Sequence, residues 1–410
     1  MSKTKGTGGA AAGGGGAVIR VVSAISEVGA AVWDACAAPD PATLNPFVLH
    51  AFLKALEESG SVGGRSGWVP QHIVLEDNAG QVLGVAPAYA KGHSQGEYIF
   101  DHGWADAFER AGGNYYPKLQ MAVPFTPVPG PRLLAAPGPG RDEREALLAS
   151  GAIELAKRHR MSSAHITFRT EGEWQRLGAL GFLQRTGKQY HWANGGYSTY
   201  DDFLATLASR KRKALRKERE QALSCGLKIE WIHGREITEA HWDAFFAFYM
   251  DTGARKWGRP YLNRRFFSLL GQAMPENCLL IFAMRDGRPI AGALNMLGGD
   301  CIYGRYWGAV EQHACLHFEV CYHQAIDYAI AHKLARVEAG AQGDHKLARG
   351  YMPVPIYSAH WIADPGFKRA VERFLVDERE QMARVRDALA DAGPFRRGPL
   401  QQVEAPQEQD

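Results

Sequence analysis

The chain has 410 residues, 46% hydrophobic and 22% charged, with a formal net charge of +3. That length exceeds one small core and predicts two domains of ordinary size. The near-neutral balance excludes a chain-wide attraction to nucleic acid or membrane, so any basic site must be local.

Residues 1–17 are nearly all Gly, Ala, Ser, Thr and Lys. Too few large apolar groups stand there to offset the entropy of ordering, so a disordered tail is expected. The start lacks the apolar stretch of a signal peptide, and no run of 18 apolar residues occurs. No transmembrane helix is expected, and a cytoplasmic location follows. The six cysteines, Cys36, Cys225, Cys278, Cys301, Cys315 and Cys321, form no C-x-x-C pair and read as reduced thiols.

Each half follows one order: strand, helix, helix, three strands, helix, strand, short helix, strand. In the first half, residues 31–35 (AVWDA) and 45–56 (NPFVLHAFLKAL) carry helix patterns. Two strands follow, HIVLED and GQVLGVAP, and residues 99–104 (IFDHGW) read as the third. Residues 105–141 hold seven prolines and five glycines, the composition of a long irregular loop. Residues 210–220 (RKRKALRKERE) predict a helix with seven basic and two acidic residues. Beyond it come a strand at 227–232, helices at 238–252 and 262–273, and antiparallel strands at 278–285, 289–298 and 300–308. A crossover helix at 313–333 leads to a parallel strand at 336–339, a strand at 351–361 and a closing helix at 367–389. From about residue 393 the chain is rich in Pro, Gln, Arg and Glu and is expected to be loose.

Pieces of the halves also match in sequence. AVWDA matches AHWDA at 240–244, and NPFVLHAFLKAL matches RPYLNRRFFSLL at 259–270, with Phe52 opposite Phe266. IFDHGW is set against IYGRYW at 302–307, and Gly181-Phe182 and His191-Trp192 against Gly350-Tyr351 and His360-Trp361. The chain reads as a duplication: halves at 18–195 and 227–392 joined by a basic connecting helix within 196–226, with mixed α/β sheets in each.

This order of elements resembles the GNAT acyltransferase fold, and two in tandem resemble the Fem-type aminoacyl transferases. Closer still is the bacterial FemAB-like peptidoglycan biosynthesis/recognition family, through LHFEVCYHQ (316–324), GAQGDHK (340–346) followed by Arg349-Gly350, RKWGRPYL (255–262) and FDHGW (100–104). The resemblance covers about residues 45–375 and implies acyl transfer by fold analogy. One departure is visible. Where GNAT enzymes carry a glycine-paired loop that holds the CoA pyrophosphate at a helix N-terminus, this chain reads GAVEQHACLH (308–317). No permanently bound cofactor is expected, and the donor is left open between acyl-CoA and aminoacyl-tRNA.

Several groups suit that chemistry. Glu319, His317 and His345 are the candidate bases or proton relays. Glu338, Gln342, Asp344, His345, Lys346 and Arg349 cluster after a strand end, where open sheets bind ligands, and Lys346 or Arg349 would stabilise an oxyanion. Tyr303 and Trp307 are candidate cleft walls, and Asp101-His102 a second acid/base pair. On an ideal helix His317 and Glu319 point about 200° apart, so one cleft cannot hold both unless the helix begins late. Arg210, Lys211, Lys213, Arg216 and Lys217 would hold phosphate on tRNA or on a nucleotide-linked precursor. His313 and His317 lack a third ligand, and no metal is expected. The expected function is a Fem-like N-acyltransferase acting on a small-molecule or peptide amine, with a peptidoglycan precursor as one acceptor. The rival is a non-catalytic module that recognises a cell-wall precursor or peptide.

Overall fold

The computed structural model describes residues 16–224, 226–256, 260–341 and 343–396. The first half runs β1 (Val18–Val22), α1 (Ala30–Ala37), α2 (His50–Glu58), β2 (Trp68–Pro70), β3 (His72–Glu76), β4 (Val82–Ala86) and β5 (Ala88–Lys91). It continues with α3 (His102–Arg110), β6 (Lys118–Met121), β7 (Leu134–Ala135), α4 (Arg141–Arg158), β8 (Ser163–Arg169), α5 (Glu171–Ala179) and β9 (Leu183–Ala193). Helices α6 (Tyr200–Thr206) and α7 (Ser209–Leu223) join the halves.

The second half opens with β10 (Lys228–His233), α8 (Glu239–Lys256), α9 (Arg264–Ala273), β11 (Cys278–Arg285), β12 (Arg288–Leu297) and β13 (Cys301–Ala309). The crossover begins as α10 (Leu316–Phe318), widens into one π-helical turn (Glu319–His323) and ends as α11 (Gln324–Ala331). Then come β14 (Arg336–Glu338), a 3-10 segment (Asp344–Arg349), β15 (Met352–Ile362) and α12 (Pro365–Asp391).

Strands β11, β12 and β13 are antiparallel neighbours, and β13 runs parallel to β14 across the crossover, as the connection lengths require. The sheets differ from two separate sets. A four-stranded sheet has the order β1-β3-β4-β7, and an eleven-stranded sheet has the order β10-β11-β12-β13-β14-β9-β15-β8-β6-β5-β2. The last strands are therefore exchanged. β9 of the first half lies beside β14 of the second, and β15 lies beside β8 of the first.

The exchange has a near-twofold geometry. Gly181 and Gly350 are 169 apart (350 − 181), and so are Gly187 and Ile356, which sit opposite each other in the β9–β15 ladder. Equivalent residues that face one another mark the axis of an isologous contact. The repeat partners Phe52 and Phe266 also meet, edge to face at 5.8 Å, and Phe47 meets Tyr303 at 5.3 Å. One apolar cluster spans both halves, including Leu53, Phe52, Phe266 and Leu280.

Three sequence expectations are corrected. Residues 99–104 are not a strand: Asp101 caps α3, which begins at His102. Topology makes β6 the counterpart of β13, since each leads through a helix to a parallel strand. Residues 105–141 are not one irregular loop, because they contain most of α3 and all of β6 and β7. The chain at 393–396 is not loose either. Ala208 N donates to Pro394 O at 2.9 Å and Arg396 N to Thr206 O at 2.9 Å. The tail expectations for residues 1–15 and 397–410, and Cys225, lie outside the described residues. Among the described residues no helix is long and apolar enough to cross a membrane.

Candidate functional site

The parallel pair β13–β14 is short. Cys301, Ile302 and Tyr303 face Arg336, Val337 and Glu338, and there the pairing ends. On its other edge β13 is bulged against β12 at Leu294/Asn295, which adds local twist and turns it aside. Side-chain alternation then separates two spaces. Tyr303 and Glu338 line a cleft of about 830 Å³ between the halves, with Arg336 and His191. Gly304 and Ala339 line a smaller cavity of about 110 Å³, with Asn295, Trp307, His317 and Tyr322.

In the large cleft, burial pushes the Glu338 carboxyl up to about 7 against the pull of Arg336. Arg336 Nε donates to Glu338 Oε1 at 3.2 Å, while Oε2 has no hydrogen-bond partner among the described residues. His191 Nε2 is 3.9 Å from Glu338, too far for a hydrogen bond, and burial with the nearby cations pulls its imidazole down to about 3. Burial also holds the Tyr303 phenol well above its ordinary value. The opposite wall is Arg169, Thr170 and Glu173, where β8 passes into α5.

In the small cavity, the His317 ring lies 5.3 Å from Trp307 and 6.2 Å from His345. Tyr322 Oη and His345 Nε2 share a hydrogen bond at 2.9 Å. Asn295 is fully buried, and neither its amide N nor its O has a partner among the described residues. Lys346 donates to Gly340 O at 2.9 Å, and burial pulls its ammonium down to about 8. Arg349 lies 3.5 Å from the centre of the Phe318 ring. Its guanidinium also donates through Nε to Glu218 Oε1 at 2.8 Å and through Nη2 to Oε2 at 2.5 Å, a doubly bonded pair.

Glu319 faces away from both spaces. It is fully buried and accepts from Arg219 Nε at 3.0 Å, Arg219 Nη2 at 2.8 Å and Gln324 Nε2 at 2.7 Å. Arg219 also donates to Asp327 at 2.6 Å, and His323 meets Glu218 at 2.8 Å. The inner edge of α7 is thus clipped to the crossover helix by ion pairs. Its outer face leaves Arg210, Lys211, Lys213 and Lys217 exposed, with Arg216 on Asp201 at 2.8 Å.

The structure therefore divides the sequence candidates. Glu338 and Tyr303 meet in the large cleft, while Trp307 and His317 line the small cavity with His345 and Lys346 beside it. Asp344 is turned outward to Tyr190 at 2.5 Å, and Gln342 lies outside the described residues. Asp101 is buried 2.5 Å from Lys118 and 2.6 Å from Tyr115, with no contact to His102. Sequence reasoning missed Asn295, Tyr322, His191 and Arg169. Of these Arg169 carried a local signal, a charge closing an apolar strand (SAHITFR) just before the capping box Thr170–Glu173, while Tyr322 stands in LHFEVCYHQ and His191 in a repeat match, neither read there as a site residue.

Two halves, each leading a strand through a helix to a parallel neighbour, define a tandem mixed α/β scaffold. The chain belongs to the FemAB-like family, described as peptidoglycan biosynthesis/recognition, whose profile matches residues 24–397. No curated protein matches it. Among solved structures it is similar to FemX, with a TM-score of 0.52 and 14% identity over 84% of this chain and 98% of that one. A conserved protein of unknown function from Bacteroides thetaiotaomicron gives 0.50 and 12%, over 84% and 99%. The C-terminal domain of a putative lysylphosphatidylglycerol synthetase from Agrobacterium fabrum gives 0.50 and 8%, over 85% and 96%. At these identities the likeness establishes the fold.

Proposed function

We propose that the protein is a Fem-like N-acyltransferase that moves an activated acyl or aminoacyl group onto an amine, the acceptor being a peptidoglycan precursor. The observation that carries this reading is Glu338, a carboxyl pushed up to about 7 at the end of the β13–β14 gap. A base of that strength removes a proton from an ammonium efficiently near neutral pH.

In the proposed reaction the amine enters the large cleft as its ammonium and gives one proton to Glu338, and the second proton that its nitrogen sheds on acylation passes to solvent in the cleft. The amine nitrogen attacks the acyl carbon presented through the gap, forming the C–N bond. Among the described residues no strand pairs with the outer edge of β13 past Tyr303, so its backbone N–H groups there serve the oxyanion. The acyl–oxygen or acyl–sulfur bond then breaks, and the leaving group takes a proton from the Tyr322–His345 pair. Glu319 serves as a structural clip, because its carboxylate accepts from Arg219 and Gln324 and faces neither cavity.

The donor is assigned to aminoacyl-tRNA. The segment after β13 lacks paired glycines and holds Cys315 at φ 63°, while α7 exposes five cations, of which Arg216 is paired with Asp201. The site is local and basic, as a phosphate backbone requires. Glu338→Gln keeps the shape and removes the base, so turnover should fall about 100-fold or more with ligand binding retained. Thermal stabilisation by acyl-CoA, charged tRNA, uncharged tRNA and a nucleotide-linked muropeptide separates the donors. Stabilisation by the muropeptide with no turnover from any donor would favour the recognition module.

A further inference from the structure

The large cleft holds a second unusual group on the wall opposite Glu338. Arg169 ends β8, is 1% exposed, and none of its three guanidinium nitrogens makes a hydrogen bond to a described residue. Its Nη2 lies 2.7 Å from Glu173 Oε1, an ion pair by distance, but the approach is off the N–H direction. Glu173 takes its counter-charge from Arg169 but its hydrogen bonds from elsewhere. Its Oε1 accepts from Arg132 N at 3.3 Å and Leu133 N at 3.4 Å, and its Oε2 from Thr170 N at 3.3 Å and Thr170 Oγ1 at 3.0 Å.

A guanidinium taken out of water with its donors unused is costly. Here the burial is deep enough to pull Arg169 below its ordinary value despite Glu173. The cleft it lines has room for a sizeable ligand, at about 830 Å³; Arg176 and Arg336 line the same space but are already paired, with Glu145 and with Asp300 and Glu338, so Arg169 is the cation there with donors to spare. A planar fork of donors matches the two oxygens of a carboxylate or phosphate.

We infer that Arg169 anchors an anion-binding subsite in the inter-half cleft, which takes a carboxylate or phosphate carried by the ligand of that cleft. That this anion belongs to the acceptor amine rests on the proposed function; the subsite itself does not. The acceptor would then be bipolar, with its anion on the β8 wall and its amine at Glu338 on the β14 wall.

The test is calorimetric titration of the full chain, at fixed ionic strength, with inorganic phosphate, acetate and 6-aminohexanoate, which carries an amine and a carboxylate. Saturable binding of phosphate alone would assign a phosphate group, and binding of the two carboxylates would assign a carboxylate. Arg169→Lys keeps the charge without the fork and should weaken binding about tenfold or more. Arg169→Met should abolish it. Because that change leaves Glu173 without its counter-charge, Arg169→Met/Glu173→Gln removes the pair together and should fold and also fail to bind. Binding unchanged in the double variant, or no saturable binding of any probe to the wild-type chain, overturns the subsite. Anion binding at Arg169 in a protein with no transfer activity would instead sink the acyltransferase reading and leave the subsite standing.

Discussion

Glu319→Gln separates two roles for one carboxylate. As a base it would be needed for turnover and dispensable for folding. As a clip it holds α7 to the crossover helix, where it is fully buried against an Arg219 that is 21% exposed. Glutamine keeps one acceptor for Arg219 and loses the charge. The full loss of a buried pair costs about 3–5 kcal/mol. Arg219 retains Asp327 at 2.6 Å, so the cost should lie lower, at about 2–3 kcal/mol, near one charge-assisted hydrogen bond. For a unit the size of one half, that lowers the unfolding midpoint by about 5 °C or more. The assay is thermal unfolding followed by tryptophan fluorescence, beside transfer activity measured well below the transition. A lowered midpoint with activity retained is the expected result. An unchanged midpoint with activity lost would refute the clip and make Glu319 the base.

Activity should rise with pH through about 7 as Glu338 loses its proton, and Glu338→Gln should erase that limb from the kcat/KM profile. The same shift acts oppositely on stability. Between about pH 4.5 and 7 the unfolded chain releases this proton while the folded chain keeps it, so stability falls as pH rises, and Glu338→Gln should reduce that slope in denaturant titrations. Lys118→Met strands Glu97 and Asp101, 2.7 and 2.5 Å from a fully buried ammonium, and should cost about 3–5 kcal/mol in urea unfolding. Adding Glu97→Gln and Asp101→Asn should recover most of that loss. Reversing Lys211, Lys213 and Lys217 to Glu should leave the unfolding midpoint unchanged, weaken tRNA binding and flatten its dependence on salt.

The second half was largely legible because its patterns are long. The three strands after residue 278 fall within about two residues of their sequence bounds. The antiparallel run and the parallel crossover followed from connection length alone. The match of IFDHGW with IYGRYW misled because a helix and a strand can share the spacing of an aliphatic residue and a tryptophan. Strand exchange leaves no mark in a sequence: β9 and β15 present the same alternation whichever strand lies beside them. The site was half legible for a related reason. His317 stands in a motif and Glu338 at the end of a readable strand, but Glu319 finds Arg219 a hundred residues away, and no spacing announces that contact. Asn295 looked ordinary because what distinguishes it is a buried amide with no hydrogen-bond partner among the described residues, which only coordinates reveal.

Exchange of the final strands turns the two halves into a covalently tethered counterpart of a domain-swapped dimer. A single-half ancestor able to swap would already have formed this sheet from two identical chains, with the Gly187–Ile356 pair on the molecular dyad. Fusion of such copies would fix the pairing and free them to diverge, and Glu338 and Arg169, which line the shared cleft 169 positions apart (338 − 169), are equivalent positions of that kind. Cut between α6 and α7, the fragments should each be short of one sheet neighbour and should recover a folded complex only when mixed. Read by gel filtration, that complementation would recreate the ancestral assembly step in a test tube.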